Sequence, residues 1–503
     1  MSRYRKAVTR FPKLICLALG LLSATGFEPL GWWPLTLLAL ALFMTVVERA
    51  DRTKSALAQG YWFGVGHFVV GLNWIAGSFR YQDTMPVWLG WIAVTALALY
   101  LAVYPALAAG VAWRWGRQRR AAFVLLFAAA WIVTEWLRAT MFTGFAWNPL
   151  GAVLIPVGAL PQASVLIGTY GLSALTILIS GGLMLAFARR WGLAALLLSP
   201  LLAGLLPKDL PVTANSKYRP LLRIVQPNIG QQDKHDEGFD TINFQKLESL
   251  TGTPGREPRL ILWPEAAVPE YLEEEEWARA RIAALMGPKD RLLTGGTALI
   301  FDKMGLVKGA RNSSFVMTPG GDLIGRYDKS HLVPYGEYLA LRWLLEPLGA
   351  KRLVPGDIDF IPGPGPQTLA VSPFGRIGVQ ICYEIIFSGD VVDANNRPDF
   401  IFNPSNDAWF GSWGPPQHLA QARLRAIEEG LPVVRSTPTG ISAIIDANGV
   451  VVKALPYQKP GFIEARLPLA HAPTPFARYG NSLSFGFAFF LCALGIALRA
   501  KRR

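Results

Sequence analysis

The sequence predicts a bundle of transmembrane helices that carries one exported α/β domain. Three observations predict it: long apolar blocks, the placement of the positive charge, and a central segment of different texture. Mean hydropathy is +0.29 and 51% of the 503 residues are hydrophobic, more than a water-soluble chain of this length carries. Apolar blocks at 13–28, 31–48, 57–78, 86–112, 121–137, 162–188, 191–206 and 481–498 each approach the ~20 residues that cross a bilayer as helix. They read as eight spans. The basic start MSRYRKAVTRFPK has the character of a signal-peptide n-region, but no small-residue cleavage site precedes the second block, so the first is expected to remain as a helix.

The formal charge of +14 raises the question of nucleic-acid binding, and its location answers it. Residues 207–470 hold 28 basic and 30 acidic side chains, which leaves 21 basic against 5 acidic in the apolar remainder. That excess flanks the spans. Arg3, Arg5, Lys6, Arg10 and Lys13 precede the first, Arg49, Arg52 and Lys54 follow the second, and Arg114, Arg117, Arg119 and Arg120 follow the fourth. Arg189 and Arg190 follow the sixth, and Arg499, Lys501, Arg502 and Arg503 end the chain, whereas only Arg80, Arg138 and Arg478 stand near the opposite ends. By the positive-inside rule both termini are cytoplasmic and the segment between the seventh and eighth spans is exported. No nucleic-acid partner is expected.

The expected division is therefore 1–206 for seven spans, 207–475 for the exported domain, and 476–503 for the eighth span and a basic tail. Within the domain, LLRIVQ (221–226), RLILWPE (259–265), RLLTGGTALI (291–300), GRIGVQIC (375–382) and DFIFNPS (399–405) read as buried strands. EEEEWARARIAALMG (273–287) and QHLAQARLRAIEEG (417–430) have helical spacing, and turns at Gly320-Gly321 and Asn448-Gly449 fit hairpins. Alternating strands and helices give an α/β class.

The chemistry centres on one cysteine. Cys16 and Cys492 lie in spans, where a buried apolar role is the default, so Cys382 is the domain's one thiol and has no disulfide partner there. It reads equally as a buried structural residue or a nucleophile until its neighbours are considered. QICYEIIF ends a strand and opens a helix-compatible segment, a turn of the kind that exposes a nucleophile beside free backbone N–H groups. A thiol of pKa ~8.5 needs a base or cation nearby. LWPEA offers Glu265, and YDKSHLVPYGEY offers Lys329 and Glu337; spacing alone does not unite them. His67 and His331 read as core or interface groups, Glu135 with Arg138 and Arg425 with Glu428 as ion pairs, and the scattered histidines give no metal-ligand spacing. No cofactor is expected.

The order LWPEA, RYDKSHLVPYGEY, QICYE and NPSNDAWFG resembles the carbon–nitrogen hydrolase (nitrilase) superfamily. With seven spans before that domain and one after it, the whole chain resembles the apolipoprotein N-acyltransferases, a membrane family within it. The resemblance implies a four-layer αββα sandwich and a triad of Glu265, Lys329 and Cys382. It implies supporting roles for Glu337, Tyr383 and Glu384. It also implies acyl transfer from a phospholipid, through a thioester on Cys382, to the amino group of a diacylglyceryl-modified apolipoprotein at the bacterial inner membrane. His235, in QQDKHDE, stands where many members carry Trp, at a lid or substrate contact.

The aromatic-rich stretches 27–34 and 142–151 and the apolar 341–349 are candidates to line an opening towards lipid, or else form an interfacial belt. The same triad would serve a membrane-tethered amidase with water in place of the amine. A transporter is disfavoured because the spans carry few internal charges and no evident inverted repeat. A monomer is expected.

Overall fold

A computed structural model of the chain describes residues 11–81, 85–205, 219–235, 237–348 and 359–500. The chain divides into two compact units, Met1–Ala76 with Trp88–Leu210 and Thr474–Arg503, and Gly77–Val87 with Pro211–Pro473. The 206/207 boundary expected from sequence falls outside the described residues, as do Arg3, Arg5, Lys6 and Arg10 of the N-terminal basic run and the final Lys501, Arg502 and Arg503.

The first unit is helical. Helices occupy Pro12–Ser23, Trp33–Glu48, Thr53–Gly71, Leu89–Leu101 with Val103–Gly116, Arg120–Thr140, Ser164–Phe187, Trp191–Gly204 and Ser482–Ala500. Among the described residues four helical stretches are long and apolar enough to cross a membrane: Leu89–Gly116, Arg120–Thr140, Leu160–Phe187 and Ser482–Ala500. Pro12–Gly26, Trp33–Glu48 and Trp191–Gly204 are apolar but shorter. Small residues set the packing of Pro12–Ser23 on Thr53–Gly71, because a Cβ on Gly20 would stand 2.0 Å from the Phe63 carbonyl oxygen and one on Gly66 2.3 Å from that of Leu17.

Two buried polar groups here, Glu135 and His67, are tied to protein partners, in line with a structural role. Glu135 accepts from the Leu150 N–H at 2.8 Å and Trp131 Nε1 at 3.2 Å and lies 3.8 Å from Arg138, while His67 Nδ1 is 2.7 Å from Ser23 Oγ. Of the aromatic stretches, Phe142 is exposed and Trp147 fully buried.

The second unit holds two six-stranded mixed sheets. One contains β1 (Leu221–Gln226), β2 (Arg259–Leu262), β3 (Arg291–Phe301), β4 (Val307–Met317) and β5 (Leu323–Asp328). The other contains β6 (Thr368–Val371), β7 (Gly375–Val379), β8 (Phe400–Pro404), β9 (Val433–Ser436), β10 (Ala443–Ile445) and β11 (Val451–Ala454), and β12 (Gly461–Arg466) returns to the first sheet. The orders are β12-β1-β2-β3-β4-β5 and β11-β10-β9-β8-β7-β6. The sheets meet where Ser436 Oγ in β9 donates to the Val225 carbonyl at 2.9 Å and the Leu262 carbonyl at 3.2 Å.

Helix Asp240–Thr251 packs against β1, and helix Gly414–Glu429 against β9, which puts helices outside both sheets. Strands β2, β8 and β9 are buried at every residue, so their sequences are continuously apolar or hydrogen-bonded rather than alternating. The hairpin turns fall as expected, between β4 and β5 and between β10 and β11. Helix 273–287 is shorter than its spacing suggests, running Glu276–Ala283. In Gly414–Glu429 the pair Arg425–Glu428 forms at 2.9 Å.

Candidate active site

Glu265, Lys329 and Cys382 come together in the second unit after the ends of different strands, joined by Glu337 from the segment that carries Lys329. Glu265 follows β2 directly, Lys329 follows β5, and Cys382 stands just after β7 at the head of a short turn, Cys382–Ile386. Each is at least nine-tenths buried. Lys329 Nζ lies 3.0 Å from Glu337 Oε1 and 3.4 Å from Glu265 Oε1. Asn312 of β4 donates through Nδ2 to both carboxylates, at 2.7 Å to Glu265 and 2.9 Å to Glu337. The Asn406 N–H donates to Glu265 Oε2 at 2.6 Å. Glu265 and Cys382 also interact directly through carboxylate and thiol.

The electrostatics follow from this packing. Burial would raise the Glu265 pKa, but Lys329 first, then Lys234 and the hydrogen bonds from Asn312 and Cys382, hold it below the ordinary value. Burial works to lower Lys329, yet Glu337, Glu265 and Cys382 together raise it, so it stays an ammonium. Cys382 is pushed up by burial and by Glu265, with only partial relief from Lys329. The resting site is therefore a neutral thiol beside an ionised carboxylate and an ammonium.

Two residues fix this geometry. Glu337 Oε2 accepts from the Val333 N–H at 2.7 Å, which anchors the carboxylate that holds Lys329. Glu384 Oε1 accepts from Tyr327 Oη at 2.8 Å, the Ser330 N–H at 2.7 Å, Ser330 Oγ at 2.8 Å and the His331 N–H at 3.1 Å. Its Oε2 accepts from the Ile381 N–H at 2.6 Å, so one carboxylate ties the segment carrying Lys329 to the strand end carrying Cys382. Tyr383 packs against His331 and Phe387, whose rings are themselves 3.9 Å apart. His331 is thus an aromatic packing partner. His235 closes the one-turn helix Asp233–His235, and its side chain lies outside the described residues.

One expectation needs correction. The strand-to-helix turn at Cys382 has the strained backbone of a nucleophile elbow, with φ of 52°, but the residue is buried rather than exposed. The other segments around it enclose it.

Sequence reasoning also missed partners. Lys234 Nζ donates to the Glu265 carbonyl at 3.1 Å, and burial lowers its pKa to about 8 despite the pull of Glu265 and Cys382. Its signal lay in QQDKHDE, one residue before His235. Asn406 lay inside the NPSNDAWFG motif but was not singled out, and Asn312 carried no signal, because an asparagine in a strand is ordinary until its neighbours are known.

The family model of the apolipoprotein N-acyltransferase N-terminal domain matches residues 19–182, and that of the carbon-nitrogen hydrolases matches residues 222–473. The apolipoprotein N-acyltransferase of Rhodopseudomonas palustris is 35% identical over 498 residues, covering 93% of this chain and 91% of its own. That of Bradyrhizobium diazoefficiens is 35% identical over 519 residues, covering 97% and 95%. Among solved structures, Saccharomyces cerevisiae Nit3, a member of branch 10 of the nitrilase superfamily, aligns over 51% of this chain and 91% of its own, with 19% identity and a TM-score of 0.36.

Proposed function

This chain belongs to the apolipoprotein N-acyltransferases, and we propose that its Cys382 carries the transferred acyl group as a thioester between the two substrates. Lipoprotein N-acylation is the activity of the family, with a lipid donor and a lipoprotein acceptor. The observation that carries the thioester reading is the buried cluster in which one thiol meets one carboxylate and one ammonium.

In the first half-reaction Glu265 takes the Cys382 proton as Sγ attacks an ester carbonyl of a glycerophospholipid. The tetrahedral oxyanion is met by Lys329 Nζ and the Tyr383 N–H, a type of contact worth ~3 to 4 kcal/mol when one donor is lost. Collapse breaks the ester C–O bond, Glu265 returns the proton to the leaving oxygen, and lysophospholipid departs. In the second half-reaction the α-amino group of the diacylglyceryl-cysteine attacks the thioester, Glu265 takes the amine proton, and the Cys382 thiolate leaves and is reprotonated. Glu265 alternates between base and acid, which suits a carboxylate held ionised at rest by Lys329. Glu337 orients Lys329, and Glu384 and Tyr383 shape the elbow. His235 is a substrate or lid contact.

The reading includes eight spans with both termini cytoplasmic, the segment 207–475 exported, and a monomer in the bacterial inner membrane. The basic flanks support that orientation. Membrane anchoring fits the substrates, because extracting an acyl chain into water costs ~0.8 kcal/mol per CH₂.

The test supplies purified protein with phospholipid and a diacylglyceryl peptide and follows products by mass spectrometry. N-acyl peptide and lysophospholipid in equal amounts are expected, and both should vanish in Cys382→Ala. Free fatty acid without N-acyl peptide would instead mark a hydrolase.

A further inference from the structure

The acyl-transfer steps above leave one buried polar chain unused, and it ends on the nucleophile's own backbone. Two side-chain donors converge on the Cys382 carbonyl oxygen, His418 Nε2 at 3.1 Å and Asn403 Nδ2 at 3.3 Å. Behind them His418 Nδ1 sits 2.9 Å from Asp407 Oδ1, and Arg435 donates to Asp407 Oδ2 at 2.9 Å and also to Asn403 Oδ1. Ser405 Oγ donates to Asp407 Oδ1 at 2.6 Å. Asn403 comes from β8, Asp407 from the turn after it, His418 from helix Gly414–Glu429 and Arg435 from β9, and all four are 0% exposed.

Burying an arginine, an aspartate and a histidine together is expensive unless every group is paired, so a network of this kind calls for a reason beyond stability. Its direction suggests one. In a trans peptide the carbonyl and the following N–H point in opposite directions across a rigid plane. Pinning the Cys382 oxygen with two donors therefore sets the direction of the Tyr383 N–H, away from His418 and Asn403. The same donors stabilise the left-handed φ of 52° at Cys382, which a residue bearing a Cβ adopts only when its surroundings hold it there.

We propose that His418 and Asn403, braced by Asp407 and Arg435, are positioning residues that aim the Tyr383 N–H at the oxyanion of the acyl-transfer step. The proposal rests on the thioester reading given above. His418 acts here as a hydrogen-bond donor: its Nε2 faces the Cys382 carbonyl oxygen and its Nδ1 the Asp407 carboxylate, both acceptors, so each ring nitrogen bears a hydrogen.

The test uses the full-length protein with phospholipid and no amine acceptor. It reads two rates, acyl adduct formation by intact mass and alkylation of Cys382 by iodoacetamide. Alkylation displaces iodide without building an oxyanion, so it reports the thiol and its base but not the hole. His418→Met keeps bulk and removes the donor. It is expected to slow acylation ~10- to 100-fold, short of the ~10²- to 10³-fold for deleting an oxyanion donor outright, with alkylation and the half-saturating phospholipid concentration close to wild type.

His418→Gln restores a neutral donor and should recover most of the acylation rate. A folded His418→Met that acylates like wild type overturns the proposal, as does a parallel fall in both rates or a His418→Gln no better than His418→Met. If His418→Met does not fold, His418→Gln decides alone, and if neither folds the network is purely structural and the proposal fails. Adduct formation that persists in Cys382→Ala is a different result, which removes the thioester reading itself.

Discussion

Lys329 is the most informative residue to replace, because it pairs with two carboxylates and, in the proposed mechanism, also meets the oxyanion. Its Nζ stands 3.0 Å from Glu337 and 3.4 Å from Glu265, with almost no exposure. At an effective dielectric of ~20 each contact is worth roughly 5 kcal/mol of attraction, much of it offset by the cost of burying the ammonium. Lys329→Met removes the cation and leaves two buried carboxylates sharing the single Asn312 amide. Breaking a buried pair in this way costs ~3 to 5 kcal/mol. At ~2 to 4 °C per kcal/mol for a domain of this size, the melting temperature falls by ~6 to 20 °C.

The acyl adduct rate falls further than the loss of one oxyanion donor predicts, more than ~10³-fold, because an uncompensated Glu265 takes up a proton and ceases to be a base. The double variant Lys329→Met/Glu337→Gln separates the two effects. It restores charge balance and should regain most of the lost melting temperature while staying inactive. Thermal unfolding in detergent and adduct formation by intact mass measure both. The reasoning is refuted if single and double variants melt alike, or if the double variant acylates.

Further outcomes follow from the same electrostatics. Glu265→Gln should cut alkylation of Cys382 by ~10²-fold or more at neutral pH, because burial and Glu265 itself hold the thiol protonated and a base must take its proton; an unchanged alkylation rate would show another base. Lys234→Met should slow acylation about tenfold below pH 8 by weakening the cationic field on Glu265, and the gap from wild type should close above that pH as Lys234, at about 8, loses its own charge. A gap independent of pH would exclude that charge effect. The Asp407 carboxyl is held at about 2, where burial would raise it, by Arg435 and His418. A lowered carboxylate stabilises the fold above its unfolded pKa of 3.8 and loses that contribution as pH falls towards 2. Asp407→Asn should therefore be less stable by about 2 kcal/mol near neutrality, with the difference from wild type shrinking through this acid range in urea unfolding.

How much of this was legible in the chain depends on where the information sits. Strands β1, β2 and β8 were readable because each is a compact apolar run buried almost throughout, and β3 and β7 because the larger part of each is buried. Strand β4, VKGARNSSFVM, was not, since its polar residues are buried by tertiary partners: Ser313 on Asp328, and Asn312 on Glu265 and Glu337. Local propensity carries no trace of such partners.

Glu265, Lys329 and Cys382 were individually visible as unusual residues at strand ends, but the segments lie far apart in the sequence and only the fold brings them together. The Arg425–Glu428 pair could be read from helical spacing, whereas His418, two turns earlier on the same helix, takes its partners from β9 and from the turns after β7 and β8. The burial of Cys382 was the opposite case. A local turn signal suggested exposure, and distant segments closed over it.

The account depends on a fatty acyl group resting on a single sulfur. Incubating the protein with a phospholipid of defined chain length, without acceptor, and mapping the modified peptide by mass spectrometry tests that directly. One acyl mass on the peptide containing Cys382, released when a diacylglyceryl peptide is added, is the predicted result. An unmodified Cys382 under conditions where N-acyl peptide still forms would contradict it.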